Sequence, residues 1–454
     1  AGDGKFSSSF TVDTQGFGTT TITVKGGTTG EEAENIFIIK GSITYLSPIS
    51  GTVGTSVTIK GDGFGASETI RISLGKNTTI TAISSNIAGS FTTSFTIDTQ
   101  SYGTKTVQAY GVISGTSDIA GLRILPKIID ITPTTGTIGT VVTVVGNGYI
   151  SSIGIRTDIG LTENIAIQPP GAQASGDGTF SITFVVDDEP LGTNTVTVWS
   201  IGNLVNDRVH FVVKPMVSVT PVSGTVGASI MVSGNGYAST EVIQIGFGTV
   251  IEYATISTSA SGDPSAFRGS WQRVIVVDIQ PYGTTTILAT GQNSSGVEKC
   301  LFNIMQRLTA ITPSYGTVGS FVTVDGNGYA MLENIRIGFG KTTSIYSVLS
   351  NGNGVFNAVF TVDTQHDGVK TVVASGLISG SDTTTYTIMP HIVSVSPAAG
   401  TVGASVTVIG DGFRTSSNIR IDFGNKEGIK IPLTSFDGTF TTNFTVDIQS
   451  QGTK

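Results

Sequence analysis

Apolar and polar residues alternate with a period of two through most of the chain. Val57 and Ile59, then Ile70, Ile72 and Leu74, then Phe91, Phe95 and Ile97 place every second side chain on one side, as do Val107 with Ala109 and Leu122 with Ile124. This is the spacing of a half-buried strand and not the 3.6-residue period of a helix. The pattern returns at Ile335, Ile337 and Phe339, at Phe356, Phe360 and Val362, and again at Ile419, Ile421 and Phe423. Runs this short between Gly-rich turns predict about seven strands in roughly 87 residues, the layout of an antiparallel β-sandwich of immunoglobulin type. The Cys-Trp-Cys core of antibody domains is missing.

The strands recur in register. A block Pro-x-x-Gly-Thr-Val/Ile-Gly, an alternating strand and Gly-Asp/Asn-Gly-Phe/Tyr starts at Pro48, Pro133, Pro221, Pro313 and Pro397 and closes on Phe64, Tyr149, Tyr237, Tyr329 and Phe413. A second block, aromatic-x3-apolar-x-apolar-Asp-x4-Gly, opens on Phe6, Phe91, Phe180, Trp271, Phe356 and Phe440, with its aspartates at Asp13, Asp98, Asp187, Asp278, Asp363 and Asp447. From closing aromatic to the next opening aromatic the distance is 27, 31, 34, 27 and 27 residues, so the second and third periods carry insertions of four and seven residues in one segment. Fixed periodicity of this kind marks an array of structural units.

Pro48 to Phe64 and Pro397 to Phe413 resemble the opening of IPT/TIG domains, immunoglobulin-like folds often found in tandem on prokaryotic surface proteins. The resemblance recurs in all five blocks. It implies an all-β tandem array of immunoglobulin-like β-sandwich domains forming an extended rod, and such modules serve as spacers, stalks, fibre subunits or accessory domains of enzymes. The expected division is 1–40, the C-terminal part of a repeat; four full repeats at 41–126, 127–214, 215–306 and 307–389; and 390–454, the N-terminal part of another. Prolines at or beside most junctions (Pro126, Pro215, Pro390) should stiffen the links. Five units in line would span on the order of 150–200 Å.

Composition narrows the function. Charged residues make up 12% of the chain and the formal net charge is −8, without Lys/Arg clusters, which argues against a nucleic-acid partner. The longest apolar runs, Ile36 to Ile39 and Val274 to Val277, are far too short for a membrane helix, so no membrane span is expected. One cysteine, Cys300, rules out a disulfide framework and multi-Cys metal sites, and its alternation with Phe302 and Ile304 places it on an apolar strand face.

Candidate chemistry is sparse. His210, His366 and His391 stand at unmatched positions in different periods, outside any metal-ligand spacing, and no period gathers Ser, His and Asp. The chain is therefore read as non-enzymatic, with no catalytic residue, metal or cofactor. Gly-Asn-Gly and Gly-Asp-Gly precede neither a helix nor Gly-Lys-Ser/Thr, so they read as tight turns with positive φ. The repeated aspartates offer one carboxylate each, too few for calcium, and are expected to cap the turn that follows. Asp187, Asp188 and Glu189 read as a solvated acidic turn. Trp199, which has no counterpart in the other periods, is a candidate for glycan stacking or an interface; Asp263 and Arg268, charged residues of the second insertion, are candidates for interface or ligand contact. Asn77, Asn293 and Asn443 open Asn-x-Ser/Thr sequons and are candidate glycosylation sites.

These readings converge on an extracellular, cell-surface structural component that self-associates into a fibre or layer through domain ends and the inserted loops, Ser151 to Gly176 and Ile256 to Gly269. The alternatives are an adhesin stalk that binds glycans or other surface proteins, and the accessory region of a secreted carbohydrate-active enzyme. Residues 1–40 and 390–454 each hold part of a repeat. A window cut from a longer polymer explains this better than strand exchange between subunits, in which strands at Phe6 to Asp13 and at Phe440 to Asp447 would compete for one slot.

Overall fold

The computed structural model describes residues 4–202, 205–259 and 269–454, and every named element among them is a strand. The candidates Asp263 and Arg268 lie outside the described residues. The chain divides into two compact units: Ala1–Pro215 with Asn235–Ser239 and Ser259–Gly269, and Met216–Gly234 with Thr240–Thr258 and Ser270–Lys454.

The first unit shows how one period folds. One sheet pairs Ser42–Ser47 with Ser56–Asp62 and that strand with Phe91–Thr96. The other runs Ser50–Gly51, Ser117–Ile124, Gly103–Gly111, Thr69–Leu74, Asn77–Ser84. Ser50–Gly51 pairs parallel with the end of Ser117–Ile124, while the other pairs are antiparallel. The alternating apolar residues named above meet between the sheets: Val57, Ile59, Ile70, Ile72, Leu74, Val107, Ala109, Leu122 and Ile124 are completely buried around Phe64 and Phe91, whose rings meet edge to face at 5.3 Å. This is a two-sheet immunoglobulin-like sandwich.

The second period keeps the core (Val142, Val144, Tyr149, Phe180, Phe184, Val196, Val198, Phe211) but reroutes a strand. Its counterpart of Asn77–Ser84 has moved to the opposite sheet, where Ile167–Gln168 pairs with Phe180–Val185. The insertion supplies the chain needed for the switch. In the second unit, Met216–Thr220, Ser229–Asn235 and Trp271–Val276 form the smaller sheet of the third period, and Arg307–Thr312, Phe321–Asn327 and Phe356–Thr361 that of the fourth. Each faces a five-stranded sheet in the order seen in the first period. Trp271 fills the aromatic site of the core at 4% exposure. Cys300 is half-buried beside completely buried Phe302 and Ile304, and burial pushes its thiol up to about 11, so it is protonated and unreactive at neutral pH.

Outside the four sandwiches, Gly18–Lys25 and Glu32–Ile39 form a lone two-stranded hairpin, and residues 391–445 form a three-stranded sheet and a short two-stranded one. Residues 6–13 are not a strand, contrary to the pattern reading, and Phe6 and Phe10 are exposed at 72% and 68%. With neither a paired strand nor an opposing sheet, alternation alone does not hold an extended segment in place.

Candidate functional site

The Gly-x-Gly turns behave as expected: Gly63, Gly148, Gly236, Gly328 and Gly412 have φ between +64 and +76. They deliver the closing aromatic to the end of its sandwich, where its main chain works in two directions. The N–H of Phe64, Tyr149, Tyr329 and Phe413 is donated to the carbonyl of Gly89, Gly178, Gly354 and Gly438 in the same period, at 3.0–3.1 Å. The carbonyl accepts an N–H from the preceding period: Phe17 to Phe64 at 2.8 Å, Tyr102 to Tyr149 at 2.9 Å, Tyr282 to Tyr329 at 2.8 Å and Asp367 to Phe413 at 3.1 Å. Each joint thus lies inside one of the two units and is closed by one main-chain hydrogen bond. A Cβ on the glycine would stand 2.7–2.9 Å from the Cα of Ser101, Pro281 and His366 across the joint at Gly178, Gly354 and Gly438. Lys76 and Lys341, both 28 residues after their block prolines, reach over the same line: Lys76 Nζ donates to the Gly176 carbonyl at 3.3 Å and Lys341 pairs with Asp437.

The Asp-x4-Gly element reaches the joint by another route than the one expected. Asp98, Asp363 and Asp447 do not cap a turn; each accepts from the glutamine two residues on, Gln100, Gln365 and Gln449. That amide in turn donates to the last carbonyl of a neighbouring strand, Leu74, Phe339 or Phe423, at 2.7–3.1 Å. The aspartate orients the glutamine and the glutamine closes the strand end. In the second period Glu189 takes the glutamine's place. It is not a solvated acidic residue: it is completely buried and accepts the N–H groups of Leu161 and Thr162, both at 3.0 Å. Among the described residues no group of three His, Cys, Asp or Glu could hold a metal.

Sequence reading passed over a buried carboxylate. Glu68, Glu241 and Glu333 stand twenty residues after Pro48, Pro221 and Pro313 and are 0–5% exposed. Glu68 accepts from the N–H groups of Gly65, Ile113 (2.9 Å) and Ser114 (2.8 Å) and from the Ser114 hydroxyl (2.6 Å). Glu333 does the same with Ala330, Ile378 and Ser379, and Glu241 with Asn293 and Ser294. The carboxylate holds a loop between two strands against the start of a third. Its signal was the recurrence of Glu at one register in so weakly charged a chain.

Burial alone would raise the Glu68 and Glu333 carboxyls, but the hydrogen bonds from the serine hydroxyls and loop amides outweigh it and hold both below the usual value. A depressed folded pKa gives stability that is fully present above the unfolded value near ~4.3 and is lost as pH falls through the folded one. Thermal melts should therefore be flat from about pH 7 to pH 5 and fall below about pH 4. Glu68→Gln with Glu333→Gln should shrink that acid loss; an unchanged pH profile would refute the assignment.

Trp199 lies across the strand pair from Arg156, in the register Arg156↔Trp199. The guanidinium sits 5.4 Å from the ring centroid, and Asp158 accepts both the indole N–H (2.6 Å) and the Arg156 Nη2 (2.8 Å). Asn77 donates to Asp98, Asn293 is exposed in the turn beside Glu241, and Asn443 is exposed on the strand Phe440–Thr445. Asn77, Trp199, Asn293 and Asn443 thus stand in four different periods.

The IPT/TIG domain model matches residues 390–431, the fifth copy of the opening block. The other four copies carry the same block in the same fold. The chain is a tandem array of immunoglobulin-like repeats similar to IPT/TIG domains. Human fibrocystin-L is 27% identical over 315 residues, 63% of this chain and 7% of that protein, and mouse fibrocystin-L is 26% identical over 330 residues, 67% and 7%. The chain therefore spans 7% of the length of the curated relatives it matches, and these are animal proteins. Among solved structures, the tetra-tandem repeat in the extending region of a large adhesion protein is 16% identical (76% of this chain, 98% of that one, TM-score 0.20). The bacterial integrin-binding protein invasin is 14% identical (79% and 81%, TM-score 0.21).

Proposed function

We infer that the chain is a structural segment of an extracellular surface protein, whose IPT/TIG-like repeats hold a fixed step from one sandwich to the next and self-associate into a fibre or layer. The observation that carries this reading is the joint: the same main-chain hydrogen bond closes four of them, whichever residue supplies the N–H or the carbonyl. A spacer needs such repeatable geometry, and it needs no reactive group. The similarity to fibrocystin-L supports repeats of this kind in a much larger protein. Sedimentation and negative-stain electron microscopy of the chain should show assemblies that grow with concentration; a strictly monomeric chain would remove the fibre or layer.

The second reading, an adhesin stalk with its own ligand site, draws on the Trp199, Arg156 and Asp158 cluster on the second repeat. A glycan array separates the two. The spacer reading expects no retained glycan, and a glycan bound by the chain and lost in Trp199→Ala would favour the stalk.

A further inference from the structure

We propose that the outer face of the second repeat's four-stranded sheet binds a saccharide that carries a carboxylate, such as a uronic or sialic acid, with its ring on Trp199 and its carboxylate on Arg208. The inference rests on the second of the two readings above and deepens it by naming the ligand.

The stacking plate is built in. Val196 and Val198 are completely buried in the core, which turns Thr197 and Trp199 outward on the same strand, Gly192–Ser200. Trp199 is part-exposed, yet its ring is not free to turn. Asp158 on the neighbouring strand Ile155–Ile159 accepts the indole N–H at 2.6 Å, and the Arg156 guanidinium lies 5.4 Å from the ring centroid, with its Nε buried. Asp158 is fixed in turn by the segment that carries this period's insertion, since its Oδ1 accepts the Asn164 N–H at 2.9 Å. The insertion and the tryptophan thus meet at one carboxylate. An indole clamped on one side presents its remaining face in a set orientation, and the electron-rich face of the ring attracts the weakly positive C–H groups on the flat side of a pyranose.

The anchor for the acid stands beside it. On the other neighbouring strand, Asn206–Val213, Arg208 lies opposite Thr197 and diagonal to Trp199, at roughly 7–8 Å between Cα atoms. It is exposed, and none of the ion pairs among the described residues includes it. Asp158, the carboxylate in the same row, is already shared by Arg156 and the indole. A guanidinium within about one sugar ring of an aromatic plate suits a ligand with a flat apolar side and a carboxylate, which its fork can hold through two parallel hydrogen bonds. A neutral saccharide would leave that charge unused.

Among the four sandwiches the combination belongs to the second alone. At the registers of Trp199 and Arg208 the first repeat has Tyr110 and Ile119, the third Thr290 and Lys299, and the fourth Ser375 and Thr383.

An array printed with uronic- and sialic-acid saccharides, each beside its methyl ester, and with poly-L-glutamate, tests this on the full chain. The acids should be retained at least about ten-fold more strongly than their esters. Trp199→Ala should abolish retention, Arg208→Gln should lower that of the acids to the level of the esters, and Lys299→Gln, at the same register in the third repeat, should change nothing. Circular dichroism melts matching those of the unsubstituted chain would show that the variants fold, and Arg208→Gln, at an exposed position, keeps the test decisive should Trp199→Ala unfold its repeat. If acid and ester are retained alike and Trp199→Ala abolishes both, the stalk reading stands and the carboxylate anchor fails. Retention indifferent to Trp199→Ala and Arg208→Gln would put the ligand on another surface and overturn the proposal. Retention of poly-L-glutamate alone would overturn it in favour of an acidic peptide. No retention at all would remove both the proposal and the stalk reading.

Discussion

Glu68→Ala should cost the first repeat about 3–5 kcal/mol, the range for removing one side of a buried charged network. The substitution leaves the N–H groups of Gly65, Ile113 and Ser114 and the Ser114 hydroxyl without their shared acceptor, in a site where Glu68 is 1% exposed. Glu68→Gln keeps one acceptor oxygen but loses the charge and should cost roughly half as much. Hydrogen exchange followed by mass spectrometry resolves the effect by repeat. Protection of the strands between Ser42 and Ile124 should fall while that of the fourth repeat, with its own Glu333, is retained. Unchanged protection at Ile113 and Ser114 would show that the carboxylate is dispensable. Ile153 and Ser417 occupy this position in the second and last copies, so the fold itself does not require Glu. What requires it is the amide-rich loop that three of the repeats bury.

The second large effect is expected at Gly178. It sits at φ +82, and a Cβ there would lie 2.5 Å from the Tyr149 carbonyl oxygen and 2.7 Å from the Ser101 Cα of the preceding repeat. Gly178→Ala should therefore both strain its turn and push apart the joint closed by Tyr102 and Tyr149. Gly171 supplies the control: its φ is +70, but nothing lies within 4 Å of its Cβ position. Gly171→Ala should cost about 1–2 kcal/mol, the backbone strain alone, and Gly178→Ala about 3 kcal/mol or more. Spin labels on the first and second repeats of the full chain would report the joint directly. A narrow distance distribution that broadens in Gly178→Ala and not in Gly171→Ala is the expected result; equal distributions would mean that the collision is absorbed locally.

The sandwiches were legible in the sequence because burial on one face of a strand imposes a period of two, and because turns demand glycine at fixed places. Ile70, Ile72 and Leu74 declare themselves by spacing alone. The polar devices were less legible. Glu68 looks like any surface glutamate until the loop at Ile113 to Ser114 is brought against it by pairings 45 and 46 residues apart. Asp98 was visible as a repeated residue, but its work goes through Gln100 to the carbonyl of Leu74, a contact set by the sheet and not by local turn chemistry. Glu189 was misjudged for the same reason: its neighbours in sequence are acidic, yet its neighbours in space are backbone amides. The strand expected at Phe6 to Asp13 failed in the opposite sense, since it has the pattern but no partner.

The joint has a consequence for how such a chain changes over generations. Its decisive bond runs from main chain to main chain, and Phe17, Tyr102, Tyr282 and Asp367 serve equally well as donors. The contact therefore reads only a glycine, a turn and a closing aromatic, all carried inside each copy. Unequal recombination between two copies would remove or add a whole period and still leave matching ends. Reach can thus lengthen or shorten by whole steps, with no compensating substitution, while the loops of single copies are free to diverge.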